Sequence, residues 1–283
     1  MRLFLLTALT MLAFAANSVL NRMALEDGTT GPAAFAAIRL VAGALCLWVL
    51  VALRGGALRP VWQPSGAASL ALYVLGFSFA YVTLPTGVGA LILFGGVQIT
   101  MFAGALILHE AVPARRWAGA VLAFGGLVWL LWPAGGVAPD PLGVALMGAA
   151  AFGWGIYSLL GRGATDPLRA TAGNFVYAAP LGLGLLALLP DGATPTGAGL
   201  AVISGAVTSG CGYALWYAVL PQLGSSRAAV AQLCVPVIAA LAGLVLLGEV
   251  ISLRFVMASA LVLGGVLLAA LPPQAGRMTS RGS

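Results

Sequence analysis

Apolar residues along this chain fall into ten long runs, at residues 3–21, 33–53, 67–84, 88–109, 114–132, 142–160, 170–189, 198–220, 226–247 and 253–271. Each is close to the roughly 20 residues an α-helix needs to cross a bilayer's hydrocarbon. Short connections rich in Gly, Pro and Asp separate them, as at Asp27-Gly28, 133–141 and 190–195. The apolar/polar alternation of an outer-membrane barrel is absent, because the runs are continuous. The pattern predicts an all-α integral membrane protein of about ten transmembrane helices.

The pattern also repeats. Gly104-Ala-Leu-Ile-Leu-His-Glu110 leads on to Gly125-Gly126, and Gly243-Leu-Val-Leu-Leu-Gly-Glu249 leads on to Gly264-Gly265. Both the glutamates (249 − 110) and the glycine pairs (264 − 125) lie 139 positions apart. Arg22 with Arg162, and Phe35 with Phe175, keep an offset of 140. The chain therefore divides into a first five-helix repeat at 1–133, a second at 140–272, and a polar tail at 273–283. An odd number of spans per repeat turns the second upside down relative to the first, the five-plus-five inverted plan of carriers with a site between their halves.

Composition strengthens this picture. Of 283 residues, 61% are hydrophobic and 7% charged, too few charges to clothe a soluble domain. The net charge of +6 does not point to nucleic acid, since the arginines stand singly or in pairs with no aromatic-interleaved patch. Every basic residue is arginine, and their distribution sets an orientation. With a cytoplasmic N-terminus, Arg2, Arg54, Arg59, Arg115, Arg116, Arg162, Arg169, Arg227, Arg277 and Arg281 lie inside, and only Arg22 and Arg254 outside. Both termini are thus expected in the cytoplasm, in a bacterial-type inner membrane. Arg2, the apolar stretch and Ala13-Phe14-Ala15 imitate a signal peptide, but cleavage would remove the repeat partner of the sixth helix, so the first helix is expected to stay. Cys46, Cys211 and Cys234 lie within apolar runs without metal spacing and are expected to be buried thiols.

Phe152-Gly-Trp-Gly-Ile-Tyr-Ser-Leu-Leu-Gly-Arg162 resembles the opening of an EamA repeat of the drug/metabolite transporter superfamily. Pro236-Val-Ile-Ala-Ala-Leu-Ala-Gly-Leu-Val-Leu-Leu-Gly-Glu249 resembles that repeat's proline-containing helix ending in Leu-Gly-Glu. The first half is degenerate: Phe14 stands where Trp154 sits, Val97 where Pro236 sits and His109 where Gly248 sits. The resemblance, closest to the YddG-type amino-acid exporters, implies ten helices in an inverted repeat, export of small metabolites, and a cavity flanked by helices three, four, eight and nine.

Few charged groups are available for the work. Glu110 and Glu249 end the fourth and ninth spans and are expected to accept hydrogen bonds from the free N–H groups of the next helix, with Arg115 and Arg254 nearby. Arg39, about two turns inside the second span, is expected to snorkel outward or pair with Glu26 or Asp27; the alternative is that it attracts a substrate carboxylate. No Asp or Glu stands mid-span, which argues for passive, gradient-driven movement over a carboxylate proton relay. No Walker motif is present, and no cofactor is expected. Uncharged groups are left to line the cavity: Asn17, Ser78, Tyr81, Gln98, Thr100, Trp154, Tyr157, Asn174, Tyr177, Ser209, Tyr213, Trp216, Tyr217 and Gln232. Each has an ordinary reading as interhelical glue or packing. Trp48, Trp62, Trp117, Trp129 and Trp132 fit an interfacial belt.

The expected function is export of small metabolites, sizeable neutral amino acids first, by alternating access without ATP. The partners are the solute and the bilayer, with no nucleic acid, and the chain is a monomer or weak homodimer. A proton-coupled exporter of drugs or other cations is the alternative. An intramembrane enzyme lacks the chemistry, since His109 is the only histidine and no nucleophile elbow or His-Glu-x-x-His site exists. A non-transporting membrane scaffold would need no cavity.

Overall fold

A computed structural model of the chain describes residues 1–55, 59–107, 109, 112–132, 138–161 and 164–270, the side chains at 224–227 excepted. Among the described residues every regular element is helical. The elements are α1 (Arg2–Leu25), α2 (Pro32–Leu53), α3 (Pro64–Ala80), α4 (Thr86–Ile107), α5 (Ala114–Leu131), α6 (Pro141–Gly161) and α7 (Pro167–Leu188). They continue with α8 (Pro195–Ile203), a π-helical segment (Ser204–Cys211), α9 (Gly212–Gln232), α10 (Cys234–Leu247) and α11 (Leu253–Ala270). Among the described residues, nine helical stretches are long and apolar enough to cross a membrane, and α3 is a shorter apolar helix.

Local chemistry sets many of the boundaries. Pro32, Pro64, Pro167 and Pro195 each open a helix, where the missing N–H leaves no bond unmade. Asp166 accepts from the Arg169 N–H and Thr194 from the Gly197 N–H, capping α7 and α8. Several boundaries differ from the apolar runs by three or more residues, two of them informatively. The third helix ends at Ala80, four residues early. The connection expected at 221–225 stays helical, and the chain turns at Leu233. Hydropathy ends a span where polar side chains begin, at Gln222, but a backbone leaving hydrocarbon can keep its helical bonds.

The bundle is built by pairing helices from 1–131 with helices from 141–270. α3 lies on α6, α2 on α7, α5 on α11, and α4 on both α6 and α10, while α1 packs against α8, α9 and α10. The glycine pairs of the repeat explain the α5–α11 seam. A Cβ on Gly265 would stand 2.5 Å from the Gly119 carbonyl oxygen, and one on Gly126 2.8 Å from Leu261 Cβ. Gly125 and Gly264, the other member of each pair, face open space. The belt tryptophans Trp48, Trp62, Trp117, Trp129 and Trp132 are all exposed. The cysteines are free but not buried: Cys46 and Cys211 are half-buried with sulfurs 3.8 Å apart, and Cys234 is exposed. An apolar run cannot distinguish a residue facing lipid from one facing a neighbouring helix.

The repeat offset also pairs two left-handed residues. Gly248 follows α10 at φ 65°, and His109, 139 positions earlier, has φ 55° just past α4. Glycine takes this conformation without penalty and histidine does not. His109→Gly is expected to stabilise the protein by roughly 0.5–1 kcal/mol, and Gly248→Ala to destabilise it by about 1 kcal/mol. Thermal unfolding in detergent checks both; an unchanged midpoint for Gly248→Ala would remove the strain argument.

Candidate functional site

Arg39 is wholly buried on α2. Its Nη2 donates to the Tyr73 hydroxyl at 3.0 Å and its Nε to Ser209 Oγ at 3.3 Å. The guanidinium carbon stands 5.3 Å from the Tyr73 ring centroid and 5.0 Å from that of Phe77. Nη1 is buried without a hydrogen-bond partner. The expectation that Arg39 snorkels or pairs with Glu26 or Asp27 is therefore overturned. Tyr73 and Phe77, one turn apart on α3, present two ring faces and a hydroxyl inward, which holds the cation away from both the surface and any acid. Among the described residues no carboxylate lies in salt-bridge range of Arg39; Glu26, Asp27, Asp140, Asp166, Asp191 and Glu249 all stand at helix ends.

The π-helical segment supplies the next part. Its wider turns bury Ser204, Thr208 and Ser209 together, and such segments often mark functional places in helices. Gly205 permits the approach, since a Cβ there would stand 2.2 Å from the Arg39 carbonyl oxygen. Asn17 on α1 bridges across: its Oδ1 accepts from the Ser204 and Thr208 hydroxyls and its Nδ2 donates to Ser209 Oγ. Arg39, Tyr73, Asn17 and Ser209 thus form one connected polar cluster drawn from both halves of the chain.

Aromatic side chains wall this cluster. Trp154 on α6 packs 4.9 Å from Tyr73, 5.0 Å from Tyr213 and 6.4 Å from Phe14 between centroids. Trp216 packs 5.7 Å from Phe14. The cavity among Asn17, Tyr73, Trp154 and Tyr213, closed by Phe14, Phe77, Leu93 and Phe94, measures about 10 Å³, roughly what one water needs. The Tyr213 hydroxyl is buried beside it without a partner. The centre is contracted, with its chemistry assembled but little open volume.

A second small cavity lies beyond the Trp154–Tyr157 stack, whose rings are 5.5 Å apart. Gln63, Tyr157, Thr171, Asn174 and Tyr217 border it. Tyr157 donates to Thr171 at 3.2 Å, and Asn174 Nδ2 donates to Gln63 at 3.3 Å. A concavity of about 680 Å³ along α2, α7 and α8 is walled by side chains such as Ile38, Leu45, Leu183 and Val202 and offers almost nothing polar.

The end of the bundle holding Glu249 is laced shut between the halves. Both Glu249 carboxylate oxygens accept from the Thr86 N–H at 2.9 Å, and Oε1 also accepts from the Thr86 hydroxyl. Arg22 lies 3.5 Å from Glu249 and donates to the Tyr81 and Val82 carbonyls. Asp191 accepts from the Ala33 and Ala34 N–H groups at 2.9 and 2.7 Å, capping α2. Asp140 accepts from the Thr83 hydroxyl and the Gly143 N–H. The expectation for Glu249 is corrected in its partners: it caps α4, far off in sequence, and pairs with Arg22. Arg254 instead donates to the carbonyls of Trp129 and Trp132. Glu110 lies outside the described residues.

The candidates from the sequence divide accordingly. Asn17, Arg39, Trp154, Ser209 and Tyr213 meet at the centre, with Trp216 behind Phe14. Tyr157, Asn174 and Tyr217 border the second cavity. Ser78 bonds Asn21, and Tyr81 donates to the Thr86 carbonyl beneath the Glu249 cap. Gln98 faces a separate groove with Phe102, Arg116 and Val266. Thr100 returns its hydroxyl to the Gly96 carbonyl, and Tyr177 packs on Trp62. Gln232 is half-buried at the end of α9. The centre is lined by α1, α3, α4, α6 and α9, so α1 and α6 replace the ninth span of the expected plan. The sequence reading missed Tyr73, Phe77, Phe14, Ser204 and Thr208. The i, i+4, i+8 aromatic stripe Tyr73, Phe77, Tyr81 was the available signal for α3.

Comparison with known proteins agrees with this architecture. Residues 141–271 match the model of the EamA-like transporter family. An uncharacterized protein of Pseudomonas aeruginosa is 46% identical over 287 residues, covering 100% of this chain and 99% of that protein. An uncharacterized transporter of Archaeoglobus fulgidus is 31% identical over 156 residues, 52% of this chain and 54% of that one. A solved crystal structure superimposes with a TM-score of 0.66 at 22% identity, over 93% of this chain and 98% of the other, a likeness of fold.

The cross-half caps carry a measurable load. Glu249→Ala or Asp191→Ala strips a helix N-terminus of its acceptor, and each is expected to cost about 1–2 kcal/mol. Thermal unfolding of the purified protein reads this directly. A midpoint unchanged in both variants would show that the caps do not hold the halves together.

Proposed function

We propose that this chain, whose residues 141–271 match the EamA-like transporter family, is a carrier of that family and moves small amphipathic solutes bearing a carboxylate through the chamber around Arg39. The observation that carries the reading is a buried guanidinium with a free N–H, set in an aromatic wall where helices from both halves meet. A cation desolvated without an acid is costly to keep. Its partner in function is an anion that comes and goes. The aromatic rings suit a sizeable apolar remainder, so the candidates are large neutral amino acids and the acids that share their side chains.

The two repeats then act as inverted halves that rock about the chamber, with export as the direction. The arginine bias supports an inner-membrane location with the Glu249 end outside and both termini in the cytoplasm. The sealed end is in that case the outer gate, closed by Glu249 on α4 and Asp191 on α2. The solute's own gradient drives movement, and the chain acts as a carrier and not an enzyme. The alternative, an exporter of cations, is opposed by Arg39, because a like charge within a few ångströms raises the cost of binding.

Reconstituted proteoliposomes test this with radiolabelled neutral amino acids, other small carboxylates and amphipathic cations, with and without a pH gradient. Saturable uptake of carboxylate-bearing solutes without a requirement for the gradient is expected. Uptake of no solute, or of cations alone, overturns the reading.

A further inference from the structure

The hydrogen-bonding inventory of the central chamber is one-sided. Asn17 Oδ1 already accepts from two hydroxyls, Ser204 and Thr208. Ser209 Oγ accepts from Asn17 and Arg39, and the Tyr73 hydroxyl accepts from Arg39. What remains is Arg39 Nη1, which can only donate, and the Tyr213 hydroxyl, which turns to suit its partner. Both are buried without partners; Tyr213 lines the cavity, and Arg39 stands against Tyr73 and Phe77, which line it. A group that accepts from both sides is what the chamber lacks, and a carboxylate has that form.

An ammonium finds the opposite. The six described carboxylates stand at helix ends, away from the chamber. The ring faces of Tyr73 and Phe77, which could hold a cation, already hold Arg39. Trp154 stacks on Tyr157 and meets Phe14 edge-on. The spare acceptor Asn174 Oδ1 borders the other cavity, beyond that stack. In an α-amino acid the ammonium is two bonds from the carboxyl carbon, so a carboxylate seated on Arg39 brings the ammonium within range of the same guanidinium. Charge counting agrees: Arg39 with a monocarboxylate leaves the chamber neutral, whereas a zwitterion leaves it with one net positive charge in a low dielectric.

We propose that the chamber selects apolar monocarboxylates lacking an ammonium, such as aromatic 2-hydroxy or 2-oxo acids, over amino acids of the same skeleton. Arg39 and Tyr213 bind the carboxylate, and Phe14, Phe94 and Trp154 take the apolar remainder. This rests on the carrier reading and narrows its substrate class. The cavity is about 10 Å³, so binding requires it to widen around the solute.

The test is calorimetric binding to the full chain in detergent, which avoids leakage of the free acid across a bilayer. The probes are 3-phenyllactate, L-phenylalanine and 2-phenylethylamine. Phenyllactate is expected to bind at least tenfold more tightly than phenylalanine, and the amine not at all. Arg39→Gln is expected to abolish the difference between acid and amino acid. Should that variant not fold, Tyr213→Phe removes one hydroxyl and is expected to weaken phenyllactate severalfold, with phenylethylamine still unbound; unchanged phenyllactate affinity overturns the assignment of Tyr213. Equal or tighter binding of phenylalanine, or binding of none of the three by folded protein, overturns the selectivity. The carrier reading falls separately, only if the proteoliposome panel shows no uptake of carboxylates.

Discussion

Arg39 is held in the middle of the bundle by hydroxyls and rings where a carboxylate would be the usual partner. Two hydrogen bonds to a charged donor contribute about 1.5–3 kcal/mol each, and two cation–π contacts about 0.5–2 kcal/mol each. Their sum is of the same order as the several kcal/mol that desolvating an ion costs. The arrangement needs α3 to offer Tyr73 and Phe77, the π-helical segment to offer Ser209, and Gly205 to let that segment reach the α2 backbone. Asn17 then ties α1 to the same segment. Four elements from both halves of the chain are positioned by one side chain and its immediate partners.

The described acids play the complementary part at the helix ends. Glu249 and Asp191, both in the second half, occupy the N-termini of α4 and α2 in the first. There the free N–H groups and the positive end of the helix dipole favour a negative charge. The anions fasten one face of the bundle, and the buried cation sits in its core. Glu249, Asp191 and Arg39 each bond across the boundary between the halves, so a relative movement of the halves has to break identifiable bonds.

Much of this fold was legible in the sequence, because lipid leaves few options. Continuous apolar runs of the right length can only be helices, and the 139-residue offset by itself aligns His109 with Gly248, the two residues that share a left-handed backbone past α4 and α10. The Gly126 and Gly265 positions form a helix seam. The site was less legible. Asn17, Trp154 and Tyr213 were found because polar and bulky residues in spans stand out, while Phe14, Tyr73 and Phe77 were hidden among ordinary core aromatics. The partners of Arg39 and Glu249 are distant in sequence: Ser209 is 170 residues from Arg39, and Thr86 163 residues from Glu249. Charge pairing by proximity along the chain points to Glu26 or Asp27 for Arg39 and to Arg254 for Glu249, because tertiary neighbours leave no local pattern.

A ligand shifts a conformational equilibrium only through interactions that differ between the two states. In the contracted state Nε and Nη2 of Arg39 are taken by Ser209 and Tyr73, and both faces of its setting are aromatic. A planar carboxylate binds a guanidinium best through two parallel N–H bonds. An anion on the Nε edge therefore displaces Ser209 of the π-helical segment, and one on the Nη1–Nη2 edge lies beside Tyr73 of α3. These two elements belong to different halves. On the proposed carrier reading, an anion that displaces Ser209 from Arg39 breaks a bond between the halves, and that bond couples recognition to their movement.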